Sequence, residues 1–216
     1  MNGLNIMAEI GQQREVLFSY REKPDFAECR FYHAIELPGH GEILGAWDLR
    51  GREAAYLGSV ALSGKRVLEI GPASGGLTAY IVRQDADVVC FETSEELAPD
   101  VLPNVRKDIE LQKKGAQEFL RQLTNAWWYT KHTLNLSAKI IYGDVNSIPS
   151  SVGSVDISFL GMILLHCRSP FGVVQQACMA AQEAVIVTDL MTAGFEDLND
   201  SLIRFNPSRG EHPHSW

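Results

Sequence analysis

The sequence has no apolar run that approaches the roughly 20 residues needed to span a lipid bilayer. Its first ten residues include Glu9 and lack the basic-then-apolar pattern of a secretion signal. We therefore expect a cytoplasmic protein with no membrane partner.

Cysteine and metal-binding patterns are also scarce. The four cysteines show no C-x-x-C spacing, and Cys90 lies inside a predicted buried strand, so we expect reduced packing residues. The six histidines, with His212 and His214 in the tail among them, include no pair at metal-ligand spacing beside an acid. The sequence predicts no metal.

Basic residues are outnumbered. The chain has 19 Lys and Arg against 27 Asp and Glu, for a net charge of −8, which weakens the case for a large phosphate-binding surface. Nucleic-acid binding would require the basic residues to gather on one face; those concerned are Arg50, Arg52, Arg106, Lys107, Lys113, Lys114 and Lys131.

The length and hydrophobic content of the chain suit a globular protein. It has 216 residues, 45% of them hydrophobic, which is enough for a sizeable core. We expect an N-terminal helical or lid segment over 1–62, with helices at 8–20 and 53–60, and a main domain over 63–216. A helical insertion is predicted at about 97–136, since Leu120, Leu123, Trp127 and Leu134 fall near one helical face.

The most informative stretch is a strand, a glycine turn and a helix. Residues 65–70 form a short apolar run that ends at Gly71, and Leu77, Tyr80 and Ile81 then follow at helical spacing, with Ser74 as the predicted cap. A second predicted strand, 87–91, leads to Glu92, which lies 21 residues after Gly71. A carboxylate there can accept hydrogen bonds from both hydroxyls of a ribose.

The turn distinguishes two cofactor classes. A dinucleotide site requires G-x-G-x-x-G, in which the second glycine lets the backbone approach a pyrophosphate. Here that position is Ala73, so the turn reads G-x-x-x-G-G. The acid Glu69 would repel a phosphate but suits a cationic sulfonium or an amino group. The pattern favours an adenosyl cofactor over NAD.

These residues resemble the class I S-adenosylmethionine-dependent methyltransferases, whose first motif has the form E/D-x-G-x-x-x-G and whose second strand ends in an acid. The similarity continues through predicted strands at 139–145, 155–161 and 183–189, with 162–166 as the entry to a helix, and spans roughly 64–190. It implies a Rossmann-like α/β fold, doubly wound, with a mainly parallel sheet and helices on both faces. Glu69, Gly71 and Gly75 would surround the methionine part of the cofactor, Glu92 would hold its ribose, and Asp144 would contact its adenine. The full implied cofactor site is Glu69, Gly71, Pro72, Ala73, Gly75, Glu92, Thr93, Asp144, Val145 and Leu160.

A narrower resemblance lies upstream. Residues 31–37, with an aromatic-Tyr-His-x-Ile-acid pattern, and 47–52 are similar to the segment before the cofactor domain in bacterial tRNA wobble-uridine carboxymethyl-transferring enzymes. Small-molecule methyltransferases share this segment, so both acceptor types stay open.

Four side chains are candidates for the substrate side of the site: Tyr32, His33, His166 and Asp189. Tyr32 and His33 either cover the cofactor as a lid or pack the structure. His166 follows the fourth strand, where the family builds its acceptor pocket, and is otherwise a helix-start or packing residue. Asp189 ends the fifth strand, at the usual ligand edge of an open α/β sheet, and is otherwise a loop or cap acid. The aromatic run 127–129 either packs its helix on the sheet or lines the pocket.

The C-terminal part departs from the family pattern. Two further strands are expected after the fifth, but the residues after Asp189 do not look like both. An unfinished sheet would leave an exposed edge, which favours pairing between subunits and a homodimer.

Three functional classes follow. A methyltransferase with a small-molecule acceptor agrees best with the acidic balance. An RNA methyltransferase acting on tRNA is the alternative, and a non-catalytic cofactor-binding protein is the third.

Overall fold

A parallel five-stranded sheet forms the centre of the protein. The computed structural model describes residues 18–97 and 109–189. Two short antiparallel strands precede the sheet, β1 (Ile35–Leu37) and β2 (Gly41–Ile43). The sheet strands are β3 (Arg66–Ile70), β4 (Asp87–Thr93), β5 (Lys139–Gly143), β6 (Val155–Gly161) and β7 (Ala181–Thr188). Their order is β5-β4-β3-β6-β7, and all four pairings are parallel.

Helices connect most of these strands. They are α1 (Glu53–Tyr56), α2 (Gly76–Arg83), α3 (Ile109–Leu134) and α4 (Pro170–Ala180). Single 3-10 turns lie at Phe26–Glu28, Ser150–Val152 and Leu164–His166. The chain therefore enters the sheet at its middle strand, β3, and adds β4 and β5 on one side. It then crosses back and adds β6 and β7 on the other side. This is the doubly wound, Rossmann-like α/β fold that the sequence predicts.

The strand sequences explain why this sheet is buried. β3 and β4 read as nearly continuous β-branched and apolar runs, as expected for strands covered on both faces. Two clusters of buried side chains lie on either side of the sheet: one includes Trp127, Trp128 and Phe159, and the other includes Phe91 and Leu160. Trp127 and Trp128 are each 1% exposed and pack α3 onto the sheet, whereas Tyr129, the third residue of the aromatic run, packs against Ile35 and Leu37 of β1.

Most predicted elements are confirmed, with changes at their ends. The strand predicted at 155–161 has those bounds, and the helical insertion predicted at about 97–136 contains the helix Ile109–Leu134. The helix predicted at 53–60 stops at Tyr56 because Gly58 and Ser59 follow with left-handed backbone φ angles of 69° and 55°. The predicted helix entry at 162–166 holds only a 3-10 turn, and α4 begins at Pro170.

Two local predictions are wrong. The helix predicted over 8–20 does not include Phe18–Tyr20, because this stretch follows the β5 edge, where the Ser19 amide donates to the Ile140 carbonyl at 2.9 Å. The earlier part, 8–17, lies outside the described residues. Ser74 does not cap α2; Gly75 occupies the cap position, and the Ser74 hydroxyl bonds elsewhere.

The region after Asp189, where the family pattern has two further strands, lies outside the described residues. Within the described ranges, no helix is both long and apolar enough to cross a membrane.

Candidate functional site

The glycine turn lies at the carboxyl end of β3 and has a fixed shape. Gly71, Ala73 and Gly75 have left-handed φ angles of 75°, 49° and 83°, and the Gly75 amide closes the turn onto the Pro72 carbonyl at 3.0 Å. A Cβ at Gly75 would meet Trp127 Cδ1 at 3.2 Å, so α3 presses directly on the turn. The glycines are thus required by backbone conformation and by packing.

Glu69 lies in β3, two residues before Gly71, and is 1% exposed. The Thr78 hydroxyl donates to its carboxylate at 2.6 Å, the Cys90 thiol donates at 3.4 Å, and the Trp127 indole in turn donates to Thr78 at 3.2 Å. Burial raises the pKa of Glu69 to about 7, although these hydrogen bonds oppose the shift. The carboxylate is held among side chains of α2 and β4, and its contact with a cofactor stays a prediction.

Glu92 lies beside the turn, near the carboxyl end of β4. The Gly71 amide donates to the Phe91 carbonyl at 2.9 Å, which brings the turn and this end of β4 together. The Glu92 carboxylate accepts hydrogen bonds from the backbone amides of Thr93, at 2.8 Å, and Ala73. Burial raises the pKa of Glu92 to about 7, and the two amides oppose the shift. The glycine turn and the Glu92 carboxylate, which the sequence predicts to lie together, are therefore in contact.

The crevice between β3 and β6 is the place where the strand order reverses, the usual ligand site of this fold. On the β6 side, Met162 has a left-handed φ of 55°, and its amide donates to the Thr188 carbonyl at 2.8 Å. The next side chain, Ile163, turns toward β3: a Cβ at Gly71 would lie 2.8 Å from Ile163 Cδ1. Ile163 thus provides an apolar wall against the glycine turn.

Tyr32 and His33 lie against the start of α2. Their backbone amides donate to the Ser74 hydroxyl at 3.0 and 3.2 Å, and a Cβ at Gly76 would meet His33 Cβ at 3.1 Å. Burial lowers the pKa of His33 to about 4, so its ring is neutral at physiological pH. Its buried Nδ1 has no hydrogen-bond partner among the described residues. The structure therefore brings Tyr32 and His33 to the predicted turn.

The remaining predicted cofactor residues differ in exposure. Asp144 is exposed just after β5, and its carboxylate accepts from the Asn146 amide and side chain, each at 2.9 Å. Val145 is half-buried on the same core cluster as Ile163. Leu160 is fully buried and packs within that cluster, so its side chain is a core residue here.

The last two catalytic candidates follow β6 and β7. His166 is exposed in the 3-10 turn after β6. Asp189 is exposed and comes directly after Thr188, whose hydroxyl donates to the Tyr56 carbonyl at 2.7 Å. Asp189 and Tyr32 both act electrostatically on the Tyr56 phenol, whose pKa rises to about 12, mainly because of burial. The Thr188 bond therefore places Asp189 next to α1, the helix that ends with Tyr56.

Sequence reasoning missed Tyr56, Ile163 and Trp47. Tyr56 lies in a one-turn helix far from the glycine motif, and Ile163 follows a strand as an ordinary apolar residue. The Trp47 indole donates to the Tyr32 hydroxyl at 3.0 Å. No local pattern marks Tyr56 or Ile163, and the segment 47–52 that contains Trp47 gives no sign of its contact with Tyr32, because tertiary packing alone makes these contacts.

A separate cavity of about 550 Å³ lies between the β1–β2 hairpin and α2. Leu37, Tyr80 and Leu134 help to line it, and His33 is the one predicted site residue on its wall. No group of three or more metal-ligating side chains occurs in the part of the chain that the structure describes.

Comparison with known proteins finds similarity at the level of structure. No family model matches the sequence, and no curated protein matches it. A magnesium protoporphyrin IX methyltransferase from Synechocystis PCC 6803, solved with bound S-adenosylhomocysteine, shows 14% identity and a TM-score of 0.44 over 62% of this chain and 51% of that one. A methyltransferase from Aquifex aeolicus, described as S-adenosylmethionine-dependent, shows 15% identity and a TM-score of 0.45 over 65% and 69%. The plantazolicin methyltransferase, also solved with S-adenosylhomocysteine, shows 17% identity and a TM-score of 0.42 over 64% and 44%.

The matched region spans about half the length of the first of these methyltransferases. At such identities and TM-scores, the fold class of this chain rests on its own strand order, and its activity is argued from its own residues.

Proposed function

We propose that this protein is an S-adenosylmethionine-dependent methyltransferase that acts on a small-molecule acceptor. One observation carries the proposal: the buried Glu92 carboxylate lies beside a glycine turn whose Ala73 amide donates to it, at the ligand edge of a doubly wound sheet. The resemblance in the sequence, E-x-G-x-x-x-G followed by an acid on the next strand, supports the same cofactor.

The residues at this edge fit an adenosyl group. Each carboxylate oxygen of Glu92 has more than one acceptor site, so bonds from two amides leave capacity for ribose hydroxyls. Ile163 and Val145 offer half-buried apolar surface, as an adenine ring requires. The turn contains no lysine or arginine to hold a phosphate, which disfavours a dinucleotide. The unpartnered Nδ1 of His33 provides a polar atom near the start of α2.

The protein contributes to the reaction by positioning the cofactor and the acceptor and by enclosing them. When bound, the cofactor supplies a methyl group already activated by the sulfonium, so correct alignment of the acceptor can provide most of the acceleration. Glu92 fixes one end of the site, and the hydrogen bonds from Tyr32 and His33 to Ser74 hold the N-terminal segment against the turn. Tyr32, His33, His166 and Asp189 remain the candidate groups on the acceptor side.

The test is calorimetric titration of the wild type and of Glu92→Ala with S-adenosylmethionine, S-adenosylhomocysteine and NAD. We expect the wild type to bind both adenosyl ligands and not NAD. Loss of the hydrogen bonds to the ribose should weaken adenosyl binding in Glu92→Ala by about 2 kcal/mol or more, since bonds to a charged group contribute about 1.5–3 kcal/mol.

Glu96→Ala is the matched control because Glu96 is an exposed acid in the loop after the same strand. It should bind like the wild type. If neither adenosyl ligand binds the wild type, the methyltransferase proposal is wrong, and if Glu92→Ala binds normally, the assigned ribose site is wrong.

An RNA acceptor is the alternative, suggested by the similarity of residues 31–37 to tRNA wobble-uridine carboxymethyl-transferring enzymes. The basic residues named for it are partly engaged within the protein. Arg50 pairs with Glu42 and Asp48, and the Lys131 ammonium donates to the Leu136 and Ala138 carbonyls. Arg106 and Lys107 lie outside the described residues. These contacts favour the small-molecule acceptor.

A further inference from the structure

Two phenols and a carboxylate border the proposed cofactor site: Tyr56 packs where β6 ends, Asp189 follows the end of β7, and Tyr32 is bonded to the glycine turn. We propose that Tyr32, Tyr56 and Asp189 form the acceptor subsite and that this subsite selects a protonated amine, whose nitrogen receives the methyl group. The inference rests on the proposed function and adds the chemical class of the acceptor.

Tyr56 is placed at the carboxyl end of β6 by packing. A Cβ at Gly161 would lie 3.1 Å from Tyr56 Cε1 and 2.7 Å from Phe159 Cζ, so both rings occupy the space that a side chain at 161 would need. The Tyr56 and Phe159 rings meet edge to face, with centroids 5.9 Å apart. Tyr56 therefore lies on the β6 side of the same crevice that the glycine turn borders on the β3 side.

Asp189 is brought to Tyr56 by the strand that precedes it. The Thr188 hydroxyl donates to the Tyr56 carbonyl at 2.7 Å, and the Thr188 carbonyl accepts from the Met162 amide at 2.8 Å. These two bonds tie the end of β7 to α1 and to the residue after β6. The next residue is Asp189, and its charge acts on the Tyr56 phenol.

Tyr32 completes the set from the other side of the crevice. Its backbone amide is bonded to Ser74 of the glycine turn, and its hydroxyl accepts from the Trp47 indole at 3.0 Å. Because the indole fills one acceptor site, the Tyr32 hydroxyl proton is available for a further acceptor. Trp47 itself is 43% exposed and adds an aromatic surface next to Tyr32.

A subsite made of aromatic rings and one carboxylate suits a cation. Tyr and Trp rings attract ammonium groups through their negative faces, and a carboxylate forms charge-assisted hydrogen bonds with N–H donors. An anionic acceptor would be repelled by Asp189.

Transfer of the methyl group to an amine nitrogen conserves atoms and charge. The bound ammonium first releases one proton to solvent, which leaves a lone pair on nitrogen. That lone pair forms the new bond to the methyl carbon while the carbon–sulfur bond breaks and its electron pair stays on sulfur. The product is an N-methylammonium ion and a neutral thioether, and Asp189 can hold the cation before and after transfer.

The test compares benzylamine with benzyl alcohol, a pair of similar size that differs in charge. Each is titrated calorimetrically into the protein saturated with S-adenosylhomocysteine, so the readout is binding and not turnover. We expect benzylamine to bind about tenfold more tightly than benzyl alcohol, the size expected for one charge-assisted hydrogen bond. Asp189→Asn should remove this preference, and Tyr56→Phe should reduce it.

Glu183→Gln is the matched control because Glu183 is an acid on the same strand, at its opposite end, where it pairs with Lys65. It should keep the preference, and every variant should keep the wild-type affinity for S-adenosylhomocysteine. Equal binding of the two probes, binding of neither, or an unchanged preference in Asp189→Asn would overturn the amine subsite while leaving the proposed function intact. Failure of the wild type to bind S-adenosylhomocysteine would overturn the proposed function, and the subsite with it.

Discussion

At the scale of single residues, the most unusual feature is a pair of buried acids that have no basic partner within residues 18–97 and 109–189. Glu69 and Glu92 are 1% and 9% exposed, and their hydrogen bonds come from hydroxyl, thiol and amide donors. Burial therefore dominates, and it raises both pKa values to about 7. Each acid takes up a proton in the native state at a pH where the unfolded chain has already lost it.

This pKa shift predicts how stability depends on pH. The ordinary pKa is 4.5 and the native one is about 7, so the native state binds more protons between these values, and stability falls as the pH rises through this window. Glu69→Gln removes one of the two groups. Between about pH 5 and pH 8, the free energy of unfolding of this variant should fall by about 2–3 kcal/mol less than that of the wild type, as a pKa shift of this size implies.

Urea denaturation at a series of pH values measures this effect. Glu36→Gln is the control, since Glu36 is exposed on β1 and should follow the wild-type curve. Parallel curves for Glu69→Gln and the wild type would show that Glu69 keeps an ordinary pKa in the native protein.

At the scale of elements, the contact between the N-terminal segment and α2 depends on one hydroxyl. Ser74 is 1% exposed; its hydroxyl accepts from the Tyr32 and His33 amides, and its carbonyl accepts from the Thr130 hydroxyl of α3 at 3.0 Å. One residue of the glycine turn thus joins three parts of the chain.

Ser74→Ala should loosen this junction. The substitution leaves two backbone amides without their acceptor, which should cost roughly 1–3 kcal/mol of stability. Amide hydrogen exchange at Tyr32 and His33 should accelerate more than exchange in β3. Ser94→Ala is the control, because the Ser94 hydroxyl accepts the exposed Glu96 amide at 3.3 Å in a loop away from this junction. Unchanged exchange at Tyr32 and His33 would show that other contacts hold the segment.

At the scale of the whole molecule, charge separates the two acceptor classes. The net charge of −8 opposes association with a polyanion, and two of the candidate basic residues, Arg50 and Lys131, are engaged internally. An RNA-modifying enzyme would bind through several phosphate contacts, and its affinity would fall steeply with salt.

Filter binding with unfractionated tRNA, at salt concentrations between about 50 and 200 mM, tests this difference. We expect weak binding without a steep salt slope, while S-adenosylhomocysteine affinity stays nearly constant over the same range. A tight complex that loses about a thousandfold in affinity over that range would favour the RNA acceptor.

Much of the fold could be predicted because its signals are local. The central strands consist mainly of apolar and β-branched residues, and two of the three left-handed positions of the turn are glycines, Gly71 and Gly75. The spacing between Gly71 and Glu92 follows from one turn, one helix and one strand, so the contact between turn and carboxylate was predictable from the sequence.

The sequence by itself thus determined the doubly wound sheet, its glycine turn and the acid at the end of the second strand. Only the tertiary structure decided that Ser74 holds the N-terminal segment instead of capping α2, and that Glu69 is enclosed by Thr78 and Cys90. It alone also brought Tyr56 to Asp189. The physical reason is range: strands and turns are set by neighbouring residues, whereas these partners are remote in the chain and meet only when its layers pack.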